Sequence, residues 1–260
     1  IATGVIPVCL GKSTKMMDYM IQGTREYRTV IELGIQTDSY DALGNVTDRK
    51  NVPMLDSAEI ESALQTYVGI IDQVPPMFSA LKQQGKRLYE LAREGVEVKR
   101  APRQVNVMKL KLLDSKLPYL TIDITCGRGF YVRSLAHDLG IKLGCGAHMK
   151  SLQRLRSGPF KLSDSTTLNT FDENFINGTW RTLIYPPDIT VSHLRSMVVN
   201  GEGETRIRNG RTLCPDLSIP SPTPNEKCRV YGHDGRFLAI MSFKAAEGLW
   251  QPERVFNFPL

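Results

Sequence analysis

An alternating segment from Leu120 to Cys126 is the clearest strand signal in the sequence. Apolar side chains occupy every second position, which is the pattern of a strand with one buried face. The segment runs into the turn Gly127-Arg128-Gly129 and then into a helical pattern through Leu135 and Leu139. We therefore predict a strand, a glycine turn and a helix, and we expect a functional site where they meet.

Weaker signals of the same kind predict further elements along the chain. Asp56 and Glu59 form a capping-box pattern ahead of apolar residues at helical spacing, which predicts the start of an amphipathic helix. Asp234-Gly235 separates two apolar runs and predicts a hairpin. The remaining predictions are helices over 13–22 and 86–94, strands over 27–33 and 105–112, and hairpin strands over 228–231 and 237–243.

The 260-residue chain carries a net charge of +6, which favours a polyanionic partner such as nucleic acid. No apolar run approaches the roughly 20 residues that a membrane-spanning helix needs, so no membrane association is predicted. The five cysteines are an odd number, widely spread and without a C-x-x-C pair. Such cysteines are typical of free thiols in a reducing cytosol, and we predict a cytoplasmic protein.

Basic residues are concentrated in two segments. Residues 82–103 hold seven basic side chains against three acidic ones, and residues 147–162 hold four with no acidic one. Each segment is compatible with a phosphate-binding surface and with an ordinary solvated surface. The basic residues are Lys82, Lys86, Arg87, Arg93, Lys99, Arg100 and Arg103 in the first segment, and Lys150, Arg154, Arg156 and Lys161 in the second.

Several common active-site motifs are absent from the sequence. Gly127-x-Gly129 lacks the third glycine of a dinucleotide fingerprint, and no Gly-Lys-Ser/Thr follows it as in a P-loop. The four histidines show no paired metal-ligand spacing, and the Gly-x-Ser-x-Gly elbow of serine hydrolases does not occur. We therefore predict neither a nucleotide cofactor nor a metal.

A series of distinctive strings lies between residues 1 and 160. They are Ala2-Thr3-Gly4-Val5-Ile6-Pro7-Val8, Leu10-Gly11-x-x-Thr14-Lys15, Glu26-Tyr27-Arg28, Gln73-Val74-Pro75-Pro76-Met77-x-Ser79-Ala80-Leu81-Lys82, Gly85-Lys86-Arg87-Leu88-Tyr89-Glu90-Leu91-Ala92-Arg93-Glu94-Gly95 and Tyr131-Val132-Arg133-Ser134-Leu135-x-x-Asp138-Leu139-Gly140. In order and spacing they resemble the TruB family of tRNA pseudouridine 55 synthases. The resemblance implies an α+β fold with a mixed central β-sheet, packed helices and a thumb-like RNA-binding insertion over residues 73–103.

The resemblance and a shift in composition together suggest a division of the chain. Residues 1–165 are predicted to form the catalytic domain and 166–188 a polar linker that ends at Pro186-Pro187. Residues 189–260 are predicted to form a small C-terminal PUA-like β domain, which resembles the one that follows the catalytic domain in bacterial members of the family.

The resemblance implies that the reaction is isomerisation of uridine to pseudouridine at position 55 in the T loop of tRNA. The base is flipped out of its stack, uracil is detached from C1′ of its ribose, and it is rejoined through C5. A carboxylate attacks the sugar or the ring, a cation keeps that carboxylate ionised, and another group removes the C5 proton. The implied enzyme is a monomer that acts on the T arm of tRNA without cofactor, metal or protein partner.

Three catalytic positions are implied by the family motifs. The nucleophilic aspartate belongs to a Gly-x-Leu-Asp-Pro-Leu-Ala-Thr-Gly run in which Ile1 takes the place of the second leucine, so it is expected two residues before Ile1. Tyr27 matches the tyrosine that stacks on the flipped uracil and is a candidate to take the C5 proton. Arg133 matches the arginine that pairs with the aspartate and orients it. Without the resemblance, Tyr27 would be interpreted as a strand aromatic and Arg133 as a surface charge.

Further positions are expected to bind the substrate. Tyr131 and Leu152 match pocket-lining residues, and Lys15 matches a basic residue beside the site. Asp138 is expected to serve helix packing or a local salt bridge rather than catalysis. The residues predicted to contact RNA phosphates are Lys82, Lys86, Arg87, Arg93 and Arg154.

Two other functions are compatible with the sequence. A non-catalytic RNA-binding protein could keep the same scaffold, and the residues before Ile1 would distinguish it from an enzyme. A guide-RNA-dependent synthase of the same superfamily is the second alternative. The thumb segment with Glu90-Leu91-Ala92-Arg93-Glu94-Gly95 favours the stand-alone tRNA type.

Overall fold

A computed structural model of the protein describes residues 2–83, 85–215 and 221–257. Some of the positions used above fall outside the described residues. They are Ile1, to which the position of the expected aspartate is tied, Gln84 of the thumb, and residues 216–220 and 258–260 of the predicted C-terminal domain.

Short strands and helices alternate along the described chain. The strands are β1 (Ala2–Gly4), β2 (Arg25–Leu33), β3 (Ile35–Thr37), β4 (Val46–Arg49), β5 (Gly69–Gln73), β6 (Lys82–Gln83), β7 (Lys86–Arg87), β8 (Arg103–Lys116), β9 (Tyr119–Cys126), β10 (Ala147–Ser157), β11 (Phe160–Lys161), β12 (Arg195–Val199), β13 (Lys227–Gly232), β14 (Phe237–Lys244) and β15 (Leu249–Val255). The α-helices are α1 (Met17–Ile21), α2 (Ser57–Gln65), α3 (Leu88–Arg93), α4 (Val132–Lys142), α5 (Leu168–Ile176) and α6 (Gly201–Arg208). Further 3-10 helices cover Gly11–Met16, Leu162–Asp164, Trp180–Leu183 and Pro187–Val191.

The chain forms two compact units. The first consists of Ile1–Pro7 and Ile21–Ser165, and the second of Val8–Met20 and Thr166–Leu260. The large sheet of the first unit has the strand order β1-β10-β2-β9-β8-β5, with β11 paired to β10. The pairing of β1 with β10 is parallel and the other pairings are antiparallel. The predicted mixed central sheet is therefore confirmed.

The core of the first unit lies on the face of the sheet that carries the alternating apolar residues. Leu120, Ile122 and Ile124 of β9 are buried there, as the alternation predicts. Residues from α2 and α4 complete the same core, including Leu64 and Leu135. Helix α4 comes close to β10, since a Cβ on Gly140 would overlap the backbone of Ala147. The strand, turn and helix predicted from the sequence thus form one side of this core.

Helix α2 begins at the capping box that the sequence predicts. The Glu59 backbone N–H donates to Asp56 Oδ1 at 2.8 Å, and the Asp56 N–H donates to Glu59 Oε2 at 2.9 Å. Two otherwise unpaired donors of the first turn are satisfied in this way. Ile60 and Leu64 then point into the core.

Strand β10 was not predicted from the sequence, which treats residues 147–162 only as a basic segment. Its pairing with β2 shifts register between Met149 and Ser151 and again between Arg154 and Arg156. Each bulge changes which side of the strand the following residues face. The two shifts interrupt the alternation of apolar and polar residues by which a strand is recognised.

The second unit contains a four-stranded sheet in the order β12-β13-β14-β15. Strands β13 and β14 form the hairpin predicted around Asp234-Gly235, with Val230 opposite Ala239. Strand β12 pairs with β13 in parallel. Val230, Met241 and Trp250 are among the buried residues of this sheet. A separate small β domain is therefore confirmed.

The two units divide the chain differently from the predicted domains. Residues 8–20, predicted to belong to the catalytic domain, pack in the second unit because Met16 is fully buried beside Val191, Phe237 and Phe256. The predicted linker also belongs to this unit and contains α5. Long-range apolar contacts, which no local pattern records, account for the difference.

Two expectations from composition concern the whole chain. All five cysteines are free thiols. Among the residues that the structure describes, no helix is both long and apolar enough to cross a membrane.

Candidate active site

The start of helix α4 is fixed by a glutamine from another part of the first unit. After Gly129, whose φ of 86° suits glycine, the chain reaches Tyr131 at the N-cap of α4. The buried Gln73 accepts from the Tyr131 N–H through Oε1 at 2.8 Å and donates Nε2 to the Tyr131 carbonyl at 3.0 Å. The side-chain amide of Gln73 thus hydrogen-bonds with both the N–H and the carbonyl of Tyr131, as the backbone of a neighbouring strand would. It holds the backbone of this predicted pocket residue in place.

Arg133 lies in the first turn of α4 and is held by two contacts. Its Nη1 donates to Asp41 Oδ2 at 3.1 Å, and its Nη2 donates to the Phe78 carbonyl at 2.7 Å. Only 24% of the Arg133 side chain and 17% of the Asp41 side chain are exposed. The Ser134 hydroxyl donates to the Val74 carbonyl at 2.7 Å, so the segment that leads into the thumb binds to the beginning of α4.

The Asp41 carboxylate is itself oriented by its own loop. Its Oδ1 accepts from the Ser39 hydroxyl at 2.7 Å and from the Leu43 backbone N–H at 3.1 Å. Its backbone carbonyl accepts from the Thr37 hydroxyl at 2.8 Å. With Oδ1 occupied in this way, Oδ2 is directed to Arg133.

Asp41, the partner of Arg133, was not predicted from the sequence because it lies among turn-forming residues. Asp41-Ala42-Leu43-Gly44-Asn45 has the composition of an ordinary turn, and Arg133 is 92 residues away. The Gln73-Val74-Pro75-Pro76 string is distinguished in the sequence only by its family resemblance. Nothing local to either segment indicates contact with α4.

The Arg133 guanidinium can hold a second anion in addition to Asp41. An arginine side chain has five N–H donors in a planar fork, and one donor each of Nη1 and Nη2 is engaged here. A carboxylate or phosphate could accept from the others. The pair with Asp41 also means that Arg133 is not an unpaired charge in this chain.

Tyr27, Leu152 and Arg154 form a second group on the core side of the same sheet. Tyr27 lies opposite Arg154 in the β2–β10 pairing, and Leu152 is two residues before Arg154. Both Tyr27 and Leu152 are half-buried against the core that includes α4. Burial raises the pKa of Tyr27 above its ordinary value, with a smaller contribution from the Cys126 thiol, while the charges of Arg25 and Arg154 oppose it. The phenol therefore remains protonated at neutral pH.

The second basic segment is largely engaged by the protein itself. Three of its four basic side chains contact groups on β2 or near β1. These contacts are Arg154 Nε to the Val5 carbonyl at 2.7 Å, Lys150 Nζ to Glu32 Oε2 at 2.7 Å, and Arg156 Nη1 to Glu26 Oε1 at 3.3 Å. Phosphate binding by Arg154 stays a prediction, and it would require the guanidinium to use its remaining donors.

The predicted thumb carries an exposed basic surface. Lys82 and Arg87 are paired residues of the short β6–β7 hairpin, and both are exposed. The guanidinium groups of Arg87 and Arg93 lie 5.8 and 5.4 Å from the ring centre of Tyr89. Lys86 forms an ion pair of 3.2 Å with Glu94, but both side chains are more than half exposed. Such a pair is worth little, so it does not prevent Lys86 from contacting a phosphate.

Lys15 is the one predicted site residue that belongs to the second unit. It is exposed on the 3-10 helix Gly11–Met16. The other candidates among residues 1–260 belong to the first unit.

The described residues contain no cluster of histidine, cysteine and carboxylate side chains suited to a metal ion. A cavity of about 400 Å³ occurs in the second unit. Its two arginines, Arg208 and Arg236, each pair with Glu204. None of the predicted site residues lines it, and its arginine charges are compensated, so the cavity is not assigned to the active site.

Asp138 forms no ion pair with a described residue, and burial raises the pKa of its carboxyl to about 6. The folded protein therefore binds this proton more tightly than the unfolded chain, whose aspartates have a pKa of about 3.9. Stability should fall as pH rises from about 4 to about 6 and stay lower above that range. We predict that Asp138→Asn raises the free energy of unfolding at neutral pH by about 1 kcal/mol, because water still reaches part of the carboxyl.

Urea unfolding of both proteins at pH 4 and pH 7 measures this effect. The gain should be present at pH 7 and much smaller at pH 4, where the aspartate is protonated in the folded state and about half protonated in the unfolded chain. An equal gain at the two pH values would show that the substitution acts through packing.

Comparison with known families gives two matches that together cover most of the chain. Residues 1–132 match the family described as TruB family pseudouridylate synthase (N terminal domain). Residues 133–198 match the tRNA pseudouridylate synthase B C-terminal domain.

Curated relatives are similar over nearly the whole chain. A protein of Dehalococcoides mccartyi named tRNA pseudouridine synthase B is 39% identical over 258 residues, which are 99% of this chain and 84% of the relative. A protein of the same name from Chromohalobacter salexigens is 39% identical, covering 98% of this chain and 82% of the relative.

Solved structures share the fold at lower sequence identity. A chain from the structure of a Cbf5-Nop10-Gar1 complex matches with a TM-score of 0.70 and 22% identity, covering 98% of this chain and 73% of that one. A chain from an H/ACA RNP bound to a substrate RNA containing 2'-deoxyuridine matches with a TM-score of 0.71 and 19% identity, covering 99% and 73%.

Proposed function

Because the chain belongs to the TruB family of pseudouridylate synthases, we propose that it converts uridine 55 in the T loop of tRNA to pseudouridine. The target base leaves its stack and enters a pocket bordered by Tyr27, Tyr131 and Leu152. An aspartate then attacks the nucleotide and the bond from C1′ to uracil breaks. The base rejoins C1′ through C5, and the bond to the aspartate breaks so that its carboxylate is regenerated. In this proposal the aspartate is the one expected two residues before Ile1.

The observation that best supports this proposal is the state of Arg133. The guanidinium is mostly buried, held by Asp41 and Phe78, and still has free donors. A second carboxylate placed beside it would gain charge-assisted hydrogen bonds and remain ionised. Arg133 would thereby orient the nucleophile, while Asp41 keeps the guanidinium from rotating away.

Tyr27 has the properties needed to receive a flipped base. Its ring is half-buried at the edge of the core, where a flat apolar face can stack on uracil. The raised pKa of Tyr27 makes its phenolate scarce but strongly basic. We propose that this phenolate accepts the proton from C5 after the base has rejoined the ribose, which leaves a neutral phenol.

The thumb is proposed to bind the phosphates of the T arm. We predict that replacing Lys86, Arg87 and Arg93 together by glutamine weakens tRNA binding and flattens its salt dependence. The slope of the logarithm of the binding constant against the logarithm of the salt concentration should become shallower by roughly 0.7 to 0.9 for each phosphate contact that is lost. Filter binding over a range of salt concentrations measures the slope.

A matched control removes the same number of charges elsewhere on the first unit. Lys50, Lys116 and Lys142 are exposed and lie outside the thumb. Their replacement by glutamine should change the slope less than the thumb variant does. Equal slopes for the two triple variants would show that the thumb residues are ordinary surface charges without a special role in binding phosphates.

The proposed enzyme acts as a cytoplasmic monomer without a guide RNA, a protein partner or a cofactor. The free cysteines and the exposed basic surface of the thumb are consistent with that setting. The full-length protein alone should form pseudouridine at position 55 in an unmodified T-arm transcript. Product is located by chemical labelling of pseudouridine followed by primer extension.

Each outcome of this assay distinguishes the proposal from its alternatives. Pseudouridine at another position would contradict the assignment of the substrate site. Tight binding without product would favour a non-catalytic RNA-binding protein. Product that appears only after a guide RNA is added would favour the guide-dependent type.

A further inference from the structure

Two aromatic rings join the Asp41 loop to helix α4 next to the Arg133 ion pair. The rings of Tyr40 and His137 are stacked, with centroids 3.9 Å apart and planes inclined by 13°. Tyr40 directly precedes Asp41 in the chain. His137 follows Arg133 by four residues, which places both side chains on one face of α4. The loop and the helix are therefore joined twice, by an ion pair and by a ring stack.

We propose that Tyr40 and His137 are positioning residues, whose stacked rings hold the Asp41 loop against α4 so that Arg133 keeps its orientation. This inference rests on the proposed function, in which Arg133 orients the nucleophile. Neither ring needs to touch the substrate. An ion pair alone leaves both partners free to tilt about the contact, whereas a second attachment one helical turn away restricts that motion.

The backbone of Tyr40 supports this role. Tyr40 has a φ of 64°, in the left-handed region that few residues other than glycine, asparagine and aspartate adopt. Two backbone hydrogen bonds keep it there, from the Tyr40 N–H to the Thr37 carbonyl at 3.2 Å and from the Met149 N–H to the Tyr40 carbonyl at 2.9 Å. Such a conformation persists only where its surroundings stabilise it. The stack on His137 is one stabilising contact of this kind. It is made by the Tyr40 ring, which a glycine at this position would lack.

The His137 ring contributes through its face. Its Nδ1 is buried and has no hydrogen-bond partner among the described residues. Burial lowers the pKa of His137, and the positive charge of Arg100 acts in the same direction, so the ring is neutral at neutral pH. The stack is therefore a contact between two neutral rings, which a phenylalanine could reproduce at either position.

Substitutions can separate the rings from the backbone in the full-length protein. Tyr40→Gly removes the ring and suits the left-handed backbone, and His137→Ala removes the other ring with a residue that favours helix. Tyr40→Phe and His137→Phe keep a flat ring at each position. Ile60→Val serves as a control, because it removes a core methylene in α2 without touching the stack.

Wild-type turnover on the T-arm transcript is measured first, because its absence would contradict the proposed function itself. With wild-type turnover present, Tyr40→Gly and His137→Ala should each lower the single-turnover rate about 10-fold, with tRNA affinity unchanged within about 2-fold. Both phenylalanine variants and Ile60→Val should stay within about 2-fold of the wild-type rate. Unchanged rates in Tyr40→Gly and His137→Ala would overturn the positioning role and leave the proposed function intact.

A double substitution tests whether the rings act through Asp41. In an Asp41→Asn background, Tyr40→Gly should lower the rate by less than a further factor of about 2. The ion pair between residue 41 and Arg133 is already lost in that background, so loss of the ring stack has no ion pair left to disturb. Losses that multiply fully would mean that the rings act independently of Arg133. Urea unfolding of every variant shows whether it is folded, and should Tyr40→Gly fail to fold, His137→Ala in the same Asp41→Asn background supplies the comparison.

Discussion

Replacing Arg133 by lysine is expected to slow pseudouridine formation by about 10² to 10³ while tRNA binding is retained. A lysine keeps the positive charge but has a single ammonium group in place of the planar fork. It cannot donate at once to Asp41, to the Phe78 carbonyl and to a second carboxylate in the directions that the guanidinium uses. Single-turnover kinetics with enzyme in excess measures the chemical step separately from binding.

Two further variants define what the Arg133 result means. Arg208→Lys makes the same change in an arginine that pairs with Glu204 on α6 of the second unit, and it should keep the wild-type rate. Asp41→Asn keeps the shape of the carboxylate and removes its charge, so it should slow the chemical step less than Arg133→Lys does. A near-normal single-turnover rate in Arg133→Lys would exclude a role for the guanidinium in orienting the nucleophile.

Tyr27→Phe is expected to abolish detectable pseudouridine and to leave tRNA affinity nearly unchanged. The phenylalanine ring retains the face that stacks on uracil, whereas the oxygen proposed to accept the C5 proton is lost. Release of tritium from uracil labelled at C5 measures that proton directly. Normal tritium release from Tyr27→Phe would show that another group accepts the proton.

The raised pKa of Tyr27 adds a pH dependence to the same experiment. Below that pKa the phenolate fraction grows about tenfold for each pH unit. If the phenolate accepts the proton, and if that step limits turnover, the wild-type rate should rise with pH through the neutral range. A flat profile over the same range would mean that proton removal is not limiting or that it uses a different base.

The sequence by itself determined the elements whose signals are local. Apolar residues at every second position identify β9, and the pair Asp56 and Glu59 identifies the start of α2, since a strand face and a helix cap each involve residues only a few positions apart. The hairpin around Asp234-Gly235 belongs to the same class. The family motifs, read in order, supplied Tyr27 and Arg133, which no local pattern would distinguish from a strand aromatic and a surface charge.

Only the tertiary structure decided which groups these residues contact. Asp41 reaches Arg133 across 92 residues, and Tyr40 reaches His137 by the same approach of loop to helix. Strand β10 was not predicted because two bulges interrupt its alternation of apolar and polar residues. Its pairing with β2 nevertheless places Arg154 opposite Tyr27. Residues 8–20 joined the second unit through the burial of Met16. Contacts of this kind depend on which distant segments meet, and they are stabilised by burial and by pairing between elements. Neither produces a periodic pattern in the sequence from which it could be predicted.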